Sequence, residues 1–491
     1  MKSPTALKSS ELHLLKLLEQ TIFANPFSDH QIHAELKMSG LPPTATHDER
    51  ISSIIDLVTD LFRQLEARGQ HSLQDFLPQD RGYMQNAYIF DFFYAYRHKF
   101  DQLIAAQSRA GDTPVKIPFA PEAIALLEHR GFTKAQVRQY FALAWQLRRA
   151  FYFIETTLVG RSNIMKKLRH DLWNNVFTHN LDLYARYLFT RMEDFSTLIL
   201  GGTGTGKGTA AAAIGRSGFI PYDEKNQCFV ESYTQSFVSL NLSQFPESLL
   251  ESELFGHRKG AFTGAVEEYR GVFDRCSPHG AILLDEIGEV SIPVQIKLLQ
   301  VLQDRTFTPM GSHVASRFKG RVIAATNRNI LQDVTGGVFR SDFYYRLCSD
   351  IITVPSLKQR IEDDPQELTD LLSHVVERMV GRPTPELEQL VRENIERHLG
   401  PDYPWPGNVR ELEQCVRRVL LKGEYKGAMP AGTASETLMA AIEEGTISAQ
   451  SLTATYCRFL YARHKNYEEV GRLTGLDRRT VKKYTESTPA P

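Results

Sequence analysis

The chain has 491 residues and a formal net charge of -1, from 57 Lys and Arg against 58 Asp and Glu. That balance excludes a nucleic-acid coat or a membrane-surface protein, so any DNA contact has to be local. No apolar run approaches the ~20 residues that span a bilayer, and the polar start at Met1-Lys2-Ser3-Pro4 does not read as a signal peptide, so the expected location is the cytoplasm.

The length corresponds to roughly three domains. Cys228, Cys276, Cys348, Cys415 and Cys457 are odd in number, scattered and never spaced as Cys-x-x-Cys. They read as reduced, mostly buried thiols rather than a zinc site or a disulfide framework.

Residues 1–157 are patterned as helix throughout. Val137, Tyr140, Ala144, Leu147, Phe151 and Ile154 recur at the spacing of one helix face, as do Ile89, Phe93, Tyr96, Phe100 and Leu103. The aromatics between Tyr83 and Phe100 read as core rather than as a ligand pocket. No strand ends in an acidic pair, so this is not a phosphate-receiver domain, and its input is unspecified. Tyr184, Tyr187, Leu188 and Met192 then predict a further helix within 168–195.

From 158 to 355 the texture is α/β, with short apolar strands ending in Gly-rich or acidic turns. Thr197 to Leu200 runs into Gly201, Gly202, Thr203, Gly204, Thr205, Gly206 and Lys207, ahead of an Ala-rich helix predicted over Thr209 to Ile214. A Gly-x-x-x-x-Gly-Lys loop between strand and helix cradles phosphate. Its glycines let backbone N–H groups approach, and the lysine neutralises the β- and γ-phosphates. Gly208 stands where Ser or Thr usually follows, so a hydroxyl for a metal would come from Thr209 or from water. Ala281 to Leu284 is a buried strand delivering Asp285 and Glu286, the first suited to holding Mg2+ and the second to orienting water. Thr326 and Asn327 close another strand, where they would sense the γ-phosphate, and Asn241 closes a third.

Between these strands lies Gly260-Ala261-Phe262-Thr263-Gly264-Ala265, too small and too Gly-rich to be core. It reads as a loop tip presenting an aromatic ring and a hydroxyl outward. Further on, Arg340 and Arg346 are read on one side of a helix, suited to binding phosphate oxygens across a subunit boundary. The stretch 356–425 is helical again. Trp405-Pro406-Gly407 is a turn, Asn408 is expected to cap the next helix, and Arg410 sits uncompensated in its first turn, which points to a bound anion.

After a linker at 426–450, residues 451–491 read as three short helices. Val470, Leu473, Leu476 and Val481 are the expected core, and Asp477 the cap of the last helix. From Leu452 onward eight Lys and Arg face four Asp and Glu. Arg478, Arg479, Thr480, Lys482 and Lys483 lie where a recognition helix would meet DNA.

The hexapeptide at 260–265, with the motifs around it in this order, resembles the AAA+ ATPases that activate sigma-54 RNA polymerase. The resemblance implies an α/β AAA+ P-loop core with a helical lid, an all-α regulatory region before it and a Fis-like helix-turn-helix after it. It implies ATP with Mg2+, a hexameric ring (a dimer at rest being one option, the resting state left open), the sigma-54 holoenzyme as partner and duplex DNA upstream of a promoter. Asn241 would restrain Glu286 as a switch pair, and Arg340 and Arg346 would be arginine fingers. Arg410 would be a second sensor, Val159 and Gly160 would join the nucleotide site, and residues 260–265 would touch sigma-54. The non-hydroxyl Gly208 suits this family better than a generic ATPase. Two other readings stand beside it. One is a DNA-binding repressor or sensor that uses ATP mainly to oligomerise; the other is a remodeller of proteins unrelated to transcription.

Overall fold

The computed structural model describes residues 4–427 and 448–486. They fall into two compact units, one ending at Tyr425 and the other beginning at Lys426. The first opens with α1 (Ser9–Ile22), α2 (Asp29–Ser39), α3 (His47–Ala67), α4 (Arg81–Ala110), α5 (Ala120–His129) and α6 (Lys134–Thr157). Ser28, Thr46 and Thr133 each accept a first-turn N–H through the side chain, which fixes where α2, α3 and α6 start. The aromatics Phe92, Tyr96 and Phe100 of α4 are buried as expected, with Phe100 against Phe119 and Phe141.

α7 (Asn163–Phe177) ends at Thr178, whose φ of 61° takes the chain out of the helix. A single turn, α8 (Leu181–Leu183), and a π-helical turn at Tyr184–Leu188 follow, so the helix expected through Met192 is broken up. Tyr184 is fully buried, whereas Tyr187 is 68 % exposed.

The central sheet holds β1 (Thr197–Leu200), β4 (Phe237–Asn241), β5 (Ala281–Asp285), β8 (Arg321–Thr326) and β9 (Asp350–Thr353), in the order β4-β5-β8-β1-β9 and parallel throughout. Two small hairpins pair β2 (Tyr222–Asp223) with β3 (Cys228–Phe229) and β6 (Thr306–Phe307) with β7 (Ser316–Arg317). The helices are α9 (Lys207–Gly215), α10 (Glu247–Phe255), α11 (Val272–Arg275), α12 (Ile292–Asp304), α13 (Ile330–Thr335) and α14 (Ser341–Leu347). α9 starts two residues earlier than expected and takes in Lys207.

Alternate strand residues bury opposite faces, as a parallel sheet covered on both sides requires. Leu198, Ile282, Leu284 and Val322 pack towards α10, α12 and α14. Ile199, Leu283, Ile323 and Ile352 pack towards α9 and, in the same hydrophobic cluster, the amino-terminal helices. The core therefore runs straight through residue 157. Phe141 meets Tyr222 at 4.8 Å between ring centres, and Trp145 stacks on Phe229 at 5.2 Å.

Beyond the sheet, α15 (Leu357–Asp363), α16 (Gln366–Val380), α17 (Pro385–His398) and α18 (Asn408–Lys422) close around Val376, Leu412 and Cys415. The second unit contains helices Ala449–His464, Tyr467–Thr474 and Arg478–Glu486. Gly475 turns at φ 71°, and Asp477 Oδ1 accepts from the N–H groups of Arg479 and Thr480, as expected of a cap. Val470 and Val481 are buried with Cys457, but Leu473 is 44 % exposed and is not core. Most of the expected linker, residues 428–447, lies outside the described residues.

Cys276, Cys415 and Cys457 are buried, Cys228 and Cys348 are half-buried, and all five are free thiols. Among the described residues no helix is long and apolar enough to cross a membrane, and no three metal-binding side chains cluster.

Candidate functional site

Parallel pairing decides what meets at the carboxyl end of the sheet. Asn241 stands opposite Asp285, Asp285 opposite Ala325, and Leu200 opposite Thr326. The loop after β1 therefore leaves beside the ends of β4, β5 and β8, where open parallel sheets bind ligands. A cleft of about 430 Å³ opens there, lined by Thr203 to Thr209, Asn241, Asp285 and Glu286 from the sheet side and by Arg410 from the lid.

Gly204 and Gly206 take φ values of 77° and 103°, open to glycine and costly for other residues. A Cβ on Gly204 would lie 2.3 Å from Gly407 O, so this glycine also admits the lid. Gly206 and Gly208 have open space where a Cβ would stand. The first N–H groups of α9 lack helical partners by construction and point into this space. Lys207 is 7 % exposed, and its ammonium donates to Gly201 O at 2.9 Å and Gly202 O at 3.2 Å. Gly201 and Gly202 thus lie beneath the cleft and hold the lysine. The donor set suits a polyphosphate: amides, one ammonium and no carboxylate within the loop itself.

Asp285 ends β5, and its Oδ1 accepts from the N–H of Glu286 at 3.0 Å. Glu286 has left the strand, with φ 57° and ψ 45°, and its Oε2 is buried without any hydrogen-bond partner. A buried carboxylate oxygen without a donor is uncommon and calls for a specific explanation. One carboxylate at the mouth of a phosphate loop is also the usual protein share of a Mg2+ site, the remaining ligands being water and phosphate. Asp285 fits that share.

Asn241 and Glu286 share the cleft but are not hydrogen-bonded to each other. Asn241 Oδ1 accepts from Ser243 N–H at 3.0 Å and from Ser243 Oγ at 2.8 Å, because the chain turns back immediately after β4. Thr326 Oγ1 accepts from Arg328 N–H, and Asn327 Nδ2 donates to Thr203 Oγ1 at 3.0 Å, so this strand end touches the phosphate loop without lining the cleft.

The two arginines are not side by side. Arg340 precedes α14 in extended conformation and pairs with Asp342, while Arg346 lies within the helix and donates twice to Leu302 O. Six residues advance a helix by well over one and a half turns, which separates their faces.

The lid contributes more than the sequence disclosed. Asn408 does not cap α18. Gly407 holds that position, while Asn408, at φ 53°, accepts from Leu357 N–H at 2.8 Å and donates to Thr203 O at 3.0 Å. It ties α15 and α18 to the phosphate loop. Arg410 is exposed at the cleft, and no described residue pairs with it. Val159 lines the cleft with Leu158, Met165 and Leu371, an apolar wall suited to a base. Gly160 does not line it; a Cβ there would collide with the buried Arg360–Glu367 ion pair. Met165, Leu371 and Arg378 were missed, because neither an apolar residue nor a lone arginine in a helical run carries a mark of the cavity it faces.

The hexapeptide forms a closed turn. Gly260 N–H donates to Ala265 O at 2.8 Å, and Ala265 N–H to Phe262 O at 3.0 Å, with Gly260 and Gly264 at positive φ. Thr263 is exposed, as expected. Phe262 is only half-exposed, its ring lying edge-on to His257 at 4.9 Å. The tip therefore offers the hydroxyl directly and the aromatic ring only in part.

Residues 178–353 match the family model of the sigma-54 interaction domain. The chain carries a sigma-54 interaction domain. It is similar to the Nif-specific regulatory protein of Azotobacter vinelandii, 42 % identical over 229 residues, or 47 % of this chain and 40 % of that protein. It is also similar to the nitric oxide reductase transcription regulator NorR of Aeromonas salmonicida, 38 % identical over 276 residues, or 56 % of this chain and 48 % of that one. A solved structure of NtrX from Brucella abortus in complex with ATP aligns over 74 % of this chain and 79 % of its own, at 20 % identity and a TM-score of 0.42. The chain spans under half the length of the two relatives.

The sigma-54 interaction domain as matched takes in the phosphate loop, both acids, the hexapeptide and both arginines. It stops before α15, so Asn408 and Arg410 join the site from outside it.

Proposed function

We propose that the chain binds ATP with Mg2+ in the cleft above β1, hydrolyses it within a hexameric ring of copies, and uses the loop at 260–265 to remodel the sigma-54 RNA polymerase holoenzyme into an open promoter complex. The observation that carries this reading is the unpartnered Glu286 oxygen in a phosphate-binding cleft of the same domain that leaves Thr263 exposed at a loop tip.

Lys207 and the first amides of α9 hold the phosphates. Asp285 holds the metal, which supplies charge neutralisation at the phosphate oxygens. Glu286 orients water and takes its proton. Asn241, anchored through Oδ1 to Ser243, keeps its Nδ2 to address the Glu286 carboxylate, so the switch pair forms by turning one side chain. Thr326 and Asn327 read the phosphate end from β8. Arg410 meets the phosphates when the lid closes, and Arg340 and Arg346 leave their present partners to serve the site of an adjacent copy.

The carboxy-terminal helices bind duplex DNA as a helix-turn-helix. Arg478, Arg479, Lys482 and Lys483 are exposed on its last helix, while Thr480 Oγ donates to Asp477 at 2.6 Å and completes the cap. Thr480 is therefore a positioning residue in this reading rather than a DNA contact.

Thr263→Ala tests the coupling. The variant should hydrolyse ATP at the normal rate and form no open complex on a sigma-54 promoter. Full transcription by it would remove the loop from the mechanism.

A further inference from the structure

The amino-terminal helices enclose a second cavity, of about 510 Å³, far larger than a packing defect and within the size range of small-molecule sites. Its walls are Ile89, Phe93 and Tyr94 of α4, Leu147 and Phe151 of α6, and Trp173 of α7. The periodicity of α4 reads all its aromatics as core, and Phe92, Tyr96 and Phe100 are core. Phe93 and Tyr94 are only half-buried, and both line a hollow that no side chain fills. The walls are braced by Phe27, which stacks on Phe151 at 5.6 Å and meets the edge of Trp173 at 6.0 Å.

One lining residue, Gln31, carries an atom without a partner. Gln31 is 9 % exposed, and its Oε1 is buried with no hydrogen bond. The orientation of this amide is fixed, because Gln31 Nε2 donates to Glu35 Oε1 at 2.8 Å. Burial alone would raise the Glu35 carboxyl; hydrogen bonds from His47, Arg50 and Gln31 outweigh it and hold the group below its ordinary value. Glu35 is therefore a carboxylate and only accepts, so the amide cannot flip to relieve its own oxygen. Some of the charged side chains at the mouth are already engaged, Arg148 with Asp101, His47 with Glu35 and Arg97 over the ring of Tyr94, and Asp48 is exposed to solvent.

We propose that this cavity binds a neutral, ring-bearing small molecule that donates one hydrogen bond to Gln31 Oε1. Apolar and aromatic walls set the body of the ligand and disfavour a formal charge on it, and the orphaned acceptor sets its polar point. The cavity also has a physical route to the nucleotide cleft. Beside Leu147 on α6, Gln146 donates to Ser217 O at 2.8 Å, and Arg149 donates to Arg216 O at 3.1 Å. Both carbonyls lie just beyond the end of α9, the helix that begins at Lys207.

The test uses the full chain and two dyes of the same shape. N-phenyl-1-naphthylamine carries one N–H, and 1-phenoxynaphthalene replaces it with an ether oxygen. The amine should bind saturably at one per chain, the ether should compete several-fold more weakly, and Gln31→Leu should abolish that difference. Leu147→Trp, which fills the hollow, should remove amine binding while leaving the melting curve in place. Equal affinity for the two dyes on the unmodified chain would overturn the proposal, as would absence of saturable binding. Undiminished binding to a folded Leu147→Trp variant would do the same. The comparison of the two dyes needs no variant and decides the matter even where Leu147→Trp fails to fold.

Discussion

Glu286 sits at φ 57°, a region where a non-glycine residue costs on the order of 1–3 kcal/mol. It carries there a buried carboxylate oxygen with no partner. Two unfavourable features at one residue, next to the acid that ends β5, are what the proposed role of Glu286 as a base rests on. Glu286→Gln keeps the size and backbone of the residue and removes its capacity to accept a proton. It should bind ATP with near-normal affinity, while phosphate release falls about 10²–10⁴-fold, the usual share of a general base. Fluorescent-nucleotide titration beside a phosphate-release assay measures both, and turnover within a few-fold of normal would take the base role from Glu286. The Asp285-Glu286 pair was legible in the sequence because four apolar residues deliver it to a strand end. The bonds of Asn241 and Thr480 were not, since a short polar side chain chooses among backbone partners that only the fold brings near.

At the scale of the element, strands and caps were the readable part. Val238 to Asn241, Ala281 to Asp285 and Arg321 to Thr326 form strands where apolar runs meet polar ends, and Asp477 caps where it should. The lid hinge was read wrongly. Asn408 follows Trp-Pro-Gly and looks like a cap, yet its partners are Leu357 and Thr203, 51 and 205 residues away. No local pattern encodes a clip of that span. Asn408→Ala would leave a buried N–H and a carbonyl unpaired, at ~1–3 kcal/mol each. It would also place alanine at positive φ, which asparagine tolerates better. The lid should then detach from the phosphate loop more often. The expected signs are faster amide exchange in α15 and the first turn of α18, and weaker ATP binding. Asn408→Asp keeps the acceptor for Leu357 and loses the donor to Thr203, so it should fall between the two. Unchanged exchange in both variants would mean that packing around Leu412 alone holds the lid.

For the whole molecule, the sequence showed which faces of the amino-terminal helices are apolar and not what they cover. Period alone cannot distinguish a helix packed within its own bundle from one packed on a neighbouring sheet. Residue 157 marks a change of texture, but the hydrophobic cluster continues across it, from Leu15 through Trp145 to Phe229 and Ile352. Trp145 is 2 % exposed between the ring of Phe229 and the guanidinium of Arg149. Burial lowers the pKa of that guanidinium to about 9, still well above neutrality, so a cation is fixed at the end of α9, where the helix dipole favours one. Trp145→Ala should therefore cost ~3–5 kcal/mol, as for other large buried rings. It should also weaken ATP binding, since α6 holds the end of the helix that begins at Lys207. A chain starting at residue 158 tests the same point more severely. Without α6 it exposes Tyr222, Phe229 and Tyr233 together, and it should bind a hydrophobic dye, melt earlier than the full chain and scatter light on heating. Loss of ATP hydrolysis in that chain would follow from the shared core and would be no sign of an activating signal. If instead it melts at the temperature of the full chain and hydrolyses ATP faster, the amino-terminal helices are a removable brake and the shared cluster contributes little to the stability of the central sheet and its helices.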